Sequence, residues 1–111
     1  MTSSEFQPGS ALETAVLRGL LDEGGLSLEE LTSVCAVSRE WVVQRVQDGL
    51  LPASGREAAG WRFTSGAVWR TRRMHALERD FDAVPELAAL AADLMEELER
   101  VRQRLRAAGL E

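Results

Sequence analysis

Residues Val37 to Phe63 read VSREWVVQRVQDGLLPASGREAAGWRF, and this stretch decides the fold. Ser38 is an N-cap residue and Gly49 a helix terminator, so a helix is expected over about 39–48. Pro52 blocks any continuation. Two short extended pieces, Leu51-Pro52-Ala53 and Trp61-Arg62-Phe63, flank a loop from Ser54-Gly55 to Gly60. The pattern is the second helix of a helix-turn-helix, its exit loop and a small β-wing. Such a frame holds one helix out toward a partner, which points to recognition rather than catalysis.

Upstream, Ser27 with Glu30 forms a capping box that opens a short helix through Val34. Only Ala36-Val37-Ser38 separates it from the next helix, so the turn is tight. Leu28, Leu31, Val37, Val42 and Val46 then meet in one small core. Residues 1–10 are small and polar and read as a disordered tail. Ser10 and Glu13 form another capping box, followed by Leu12, Ala15, Val16, Gly19 and Leu20 at helical spacing. A helix over about 11–22 is expected, with a short strand at Ala15–Arg18 as the alternative.

Downstream, the chain is helical from Ser65 to about Asp80. Asp82 caps a last helix with Pro85 in its first turn, where the missing N–H does no harm. Along it Leu87, Leu90, Leu94, Leu98, Val101 and Leu105 step by three and four. Acids lead this helix and arginines close it, an order that suits the helix dipole. So long a stripe exceeds what a small body can cover, and part of it should pair with another helix, a second copy being the natural candidate. The expected domains are a tail (1–10), a winged helix-turn-helix unit with an extra N-terminal helix (11–82) and an amphipathic dimerisation or partner-binding helix (83–111).

Composition narrows the function. Eighteen acids face thirteen bases, a net charge of −5, and every base is arginine. An acidic chain is repelled by the phosphate backbone that supplies most nucleic-acid affinity, so DNA binding is disfavoured. No apolar run spans a membrane and no secretory signal opens the chain, so a cytoplasmic location is expected. The single cysteine, Cys35, reads as a buried structural thiol. The single histidine, His75, has no ligand partners at metal spacing. No phosphate loop, nucleophile elbow or CxxC pair occurs, so neither an enzyme nor a cofactor or metal site is expected. Trp61 and Phe63 should pin the wing, Trp41 and Trp69 should pack in the core, and Arg70, Arg72 and Arg73 read as a solvated helix face.

The segments Leu28-Glu29-Glu30-Leu31, Ala36-Val37-Ser38, Gly49-Leu50-Leu51-Pro52 and Gly60-Trp61-Arg62-Phe63 resemble the winged helix-turn-helix of MerR-type regulators. The resemblance implies a mainly α fold: a MerR-like winged helix-turn-helix with a small β-wing and a long amphipathic C-terminal helix. The Arg-Tyr-Tyr triplet that engages DNA phosphates in that superfamily is replaced by Val43, Gln44 and Arg45. The chain is more similar to the chaperone modulator CbpM family. That likeness rests on Trp61 and Phe63 with Ala67 beyond, on Arg73 and Leu77, on Pro85, on Leu94-Met95-Glu96-Glu97-Leu98 and on Arg102-Gln103-Arg104-Leu105. It covers about Leu26 to Leu105, with the last helix about one heptad shorter.

The CbpM resemblance implies an adaptor that binds the J-domain of a DnaJ/CbpA-type co-chaperone and inhibits its stimulation of a DnaK-type chaperone. J-domains present a basic helix, which an acidic surface with an apolar centre can cover. Met74, Leu77, Glu78, Asp80, Phe81, Asp82 and Glu86 are the expected J-domain contacts, with Phe81 as anchor. The alternative, a dimeric MerR-type transcriptional regulator, would use Arg39, Arg45, Arg56 and Arg62 on DNA.

Overall fold

The computed structural model describes residues 24–110, and the tail and helix expected over 1–22 lie outside them. Four α-helices carry the described residues: α1 (Leu28–Cys35), α2 (Arg39–Gln47), α3 (Ser65–Phe81) and α4 (Pro85–Ala107). The molecule is mainly helical, as expected.

Local sequence sets each boundary. The Glu30 amide donates to Ser27 Oγ at 3.1 Å, and the Ser27 amide donates to Glu30 Oε1 at 2.7 Å, completing the capping box of α1. Ala36 ends α1 in the left-handed region at φ 57°. Ser38 Oγ then accepts from the Trp41 amide at 3.0 Å, so α2 starts after a turn of three residues. Gly49, at φ 77°, lets the Leu50 amide turn back to the Arg45 carbonyl at 2.9 Å and closes α2.

The expected wing is not a regular sheet. Among the described residues only two isolated antiparallel bridges occur, Ser54 with Arg62 and Leu26 with Phe63. Pairing cannot propagate because Pro52 lacks a donor and Ala58–Gly60 form a 3-10 turn. Gly55 closes the loop at φ 108°, where a Cβ would stand 2.7 Å from the Gly60 carbonyl oxygen.

Two cores result. The first gathers Leu26, Leu28, Leu31, Val42, Leu51, Phe63 and Val68, with Val37 and Val46 packed against it. The second gathers Met74 of α3 with Ala88, Ala89 and Ala92 of α4, and Trp41 packs against both cores. Helix α3, about 25 Å long, therefore ties the two together. A three-residue turn, with Asp82 left-handed at φ 55°, folds α4 back along it.

Helix α4 packs on its alanines rather than its leucines. At 100° per residue the alanine triad and the leucine stripe face roughly 160° apart. Six stripe residues, Leu87 to Leu105, remain 37–62% exposed. The sequence pattern identified an amphipathic helix, but the small residues win the core contact because they let α3 and α4 approach closely.

Substitutions on the two faces should therefore act opposite to ordinary hydrophobic intuition. Ala92→Leu is expected to cost about 1–3 kcal/mol by overpacking the α3–α4 seam. Leu94→Ala should change stability by no more than about 0.5 kcal/mol. Urea unfolding in dilute solution measures both.

Candidate protein-interaction surface

Arg45, in the last turn of α2, is one of the four arginines expected to contact DNA in the alternative reading. Here its guanidinium instead grips Glu78 of α3, with Nε donating to Oε2 at 3.0 Å and Nη2 to Oε1 at 2.7 Å. Trp41 Nε1 donates to the same carboxylate at 3.0 Å, and the guanidinium stacks 4.6 Å from the Trp41 ring centroid. The two side chains are 11% and 15% exposed. Burial pushes the Glu78 carboxyl up, but the Arg45 and Trp41 hydrogen bonds and the Arg45 charge outweigh it and hold the group below its usual range. His75 packs edge-on against Trp41.

Of the four arginines named for DNA, Arg45 is thus committed to the interior. Arg39 lies 3.7 Å from Glu29 in an exposed pair. Arg56 and Arg62 are exposed on the loop between α2 and α3.

The residues named for a J-domain divide similarly. Met74 is fully buried, so it supports the α3–α4 tip from below and cannot line a surface. Leu77 is half-buried against the second core, and Glu78 is held by Arg45. The others form the tip of the α3–α4 hairpin. Phe81 is 74% exposed, and Asp80, Asp82 and Glu86 are exposed beside it. Arg79 donates to Asp80 Oδ1 at 2.8 Å, and that hydrogen bond holds the Asp80 carboxyl below its usual range. Three exposed carboxylates and one guanidinium leave the tip acidic.

The pattern of residue types did not single out Val84, which is 59% exposed and adjoins Phe81. Its only signal was an apolar residue immediately before Pro85. The tip is therefore an apolar pair, Phe81 and Val84, inside an acidic rim.

The expected solvated face of Arg70, Arg72 and Arg73 is in part structural. Arg70 Nε donates to the Leu50 carbonyl at 2.8 Å and its Nη1 pairs with Asp93 at 2.5 Å, so one side chain clamps the exit of α2 to α4. Arg72 donates to the Val34 carbonyl at 3.2 Å and lies over Trp69. Burial lowers the Arg72 pKa.

A groove of about 860 Å³ runs beside this clamp, between Leu50–Ala53, α3 and the second half of α4. Its arginines (Arg70, Arg73, Arg100) alternate with Asp93, Glu96 and Glu99, so it favours neither sign of ligand. Cys35 is half-buried with its thiol directed at the Val68 carbonyl, and burial pushes its pKa up to about 12. Among the described residues no group of three or more His, Cys, Asp or Glu side chains could hold a metal ion. No described helix is long and apolar enough to cross a membrane.

Known proteins supply the remaining comparison. No family model matches the chain, and no solved structure does. The chain is similar to the chaperone modulatory protein CbpM of Coxiella burnetii (strain Dugway 5J108-111). The two are 26% identical over 93 residues, covering 82% of this chain and 88% of that protein. It is 31% identical over 77 residues to the protein of that name from Pseudomonas entomophila (strain L48), covering 69% of this chain and 76% of the relative. The chain belongs to the CbpM family. A Pseudomonas putida (strain GB-1) member is 30% identical over a stretch of the same length. Among the described residues of this CbpM-family chain, the acidic hairpin tip and the leucine stripe of α4 carry most of the exposed large apolar side chains.

The Arg45–Glu78 pair yields a pH test. Because the folded-state carboxyl is depressed below its ordinary 4.5, its stabilisation is complete above that value and is lost as pH falls through the folded value. Glu78→Gln should cost about 1–3 kcal/mol at pH 7, and the gap to wild type should close in strong acid. Denaturant unfolding across pH 2–7, roughly the carboxylate range and above, measures it.

Proposed function

We propose that this protein is an adaptor that binds the J-domain of a DnaJ-type co-chaperone and inhibits its stimulation of a DnaK-type chaperone. One observation carries this: in a member of a family named for chaperone modulation, α3 and α4 present Phe81 and Val84 inside the acidic rim of Asp80, Asp82 and Glu86. A basic helix of the J-domain would be steered to this rim, with Phe81 as the apolar centre that resists dissociation. Covering that helix blocks its use by the chaperone. The adaptor acts by stoichiometric binding, in the cytoplasm, and two copies pair through the C-terminal helix.

The frame beneath is a MerR-like winged helix-turn-helix that reaches to Asp82, its wing reduced to the two bridges at Phe63 and Arg62. The turn at Ala36–Ser38 and the exit at Gly49–Pro52 support that assignment. Conversion from a DNA reader to a protein adaptor is supported by Arg45, which is held by Glu78 instead of being available for phosphate. The DNA-binding alternative would have to rely on Arg39, Arg56 and Arg62 in a chain of net charge −5.

Calorimetric titration against a J-domain tests the assignment. Saturable binding at micromolar Kd or tighter is expected, about −8 kcal/mol. Phe81→Ala should weaken it roughly 30-fold, and Asp80→Arg should slow association and weaken binding. Arg56→Glu, away from the tip, should leave it unchanged. Absence of binding, or indifference to both tip substitutions, overturns the proposal.

A further inference from the structure

The tip of the α3–α4 hairpin carries one base among its acids. Arg79 sits in the last turn of α3, and its guanidinium grips the residue beside it. Nε donates to Asp80 Oδ1 at 2.8 Å and Nη2 to Oδ2 at 3.3 Å. Both side chains are more than half exposed, and among the described residues Asp80 is the one ion-pair partner of Arg79. The guanidinium therefore braces no other element of the fold. Its hydrogen bond holds the Asp80 carboxyl below the usual range and raises the Arg79 pKa above its own.

The neighbours give this pair its consequence. Phe81, 74% exposed, follows Asp80 directly, and Asp82, Val84 and Glu86 complete the surface. Glu78, on the other side of Arg79, is already held by Arg45 and Trp41. One of the three exposed carboxylates of the tip is thus occupied by the protein's own cation before any partner arrives.

We propose that Arg79 is a specificity-determining residue of this surface, an internal competitor for Asp80 that an incoming cation must displace. This deepens the adaptor reading and rests on it. A basic helix that also covers Phe81 and Val84 offsets the displacement by apolar burial. A segment that is merely basic has nothing to offset it, so charge alone binds poorly and the apolar contact decides. The guanidinium also reduces attraction at a distance. Three carboxylates less one guanidinium leave two net negative charges at the tip, against three without Arg79.

Two other roles for Arg79 predict different behaviour. As a contact to a carboxylate of the partner, it would add affinity. As a cation at the negative end of the α3 dipole, it would stabilise the helix and leave binding unchanged. Only competition for Asp80 makes removal of the arginine a gain.

Titration of Arg79→Ala at low salt, against a J-domain and against oligolysine as a cation without an apolar face, tests this. Exposed pairs are weak, so Arg79→Ala should bind the J-domain roughly three- to fivefold more tightly, with faster association. Oligolysine should gain by a similar factor. Arg56→Ala removes the same charge away from the tip and should change neither. In an Asp80→Asn background the gain should vanish, because no carboxylate remains to compete for. Circular dichroism checks that α3 stays helical in each variant. Weaker or unchanged J-domain binding by Arg79→Ala, an equal gain from Arg56→Ala, or a gain that persists without Asp80 overturns the role. If the J-domain binds neither wild type nor Arg79→Ala, the adaptor reading fails, and the oligolysine titration still decides whether Arg79 competes for Asp80.

Discussion

Everything in this molecule hangs from a carboxylate held in the joint between α2 and α3. Glu78 accepts from Arg45 twice and from Trp41 once, and Trp41 belongs to both cores. A half-buried ion pair gains little over an apolar contact of equal size, but losing one partner leaves an uncompensated charge. Its value here is therefore geometric. It fixes the angle at which α2 meets α3, and through α3 the angle of the whole hairpin. It also withdraws from solvent the one arginine in the second half of α2, so the same contact that builds the frame changes what its surface can recognise.

Locally encoded features were legible in the sequence, and those set by distant packing were not. The Ser27–Glu30 capping box, Ser38, Gly49 and Pro85 act within four residues, and the helix ends they imply lie within a residue or two of those observed. The tight turn and the small core of Leu28, Leu31 and Val42 followed from the same local rules. The wing was overestimated because extended propensity at Trp61–Phe63 needs a partner strand, and Pro52 with the 3-10 turn leaves room for single bridges only. Met74 illustrates the limit at the site. A methionine near an exposed phenylalanine invites a surface role, but one helical position decides between facing α4 and facing solvent. Arg70 is similar: nothing in its neighbours announces the Leu50 carbonyl twenty residues away.

The leucine stripe exposes a general ambiguity. Periodicity identifies an apolar face but not what covers it, and α4 has two such faces of different kinds. The alanine face suits close approach to α3, while the leucine face has the volume to fill gaps between separate helices. One side of the helix completes its own domain while the other stays exposed. The acidic tip lies at one end of the α3–α4 hairpin and the arginine run at the other.

Cys35 has a practical meaning that follows from its setting between α1 and α3. With its pKa pushed up to about 12, on the order of one molecule in 10⁵ carries the thiolate at neutral pH. Burial and the scarcity of thiolate therefore slow its reaction with oxidants and alkylating reagents. Parting α1 from α3 would release the thiol from the Val68 carbonyl and speed that reaction. The sole sulfhydryl of the chain is thus a built-in clock for the opening of its own core.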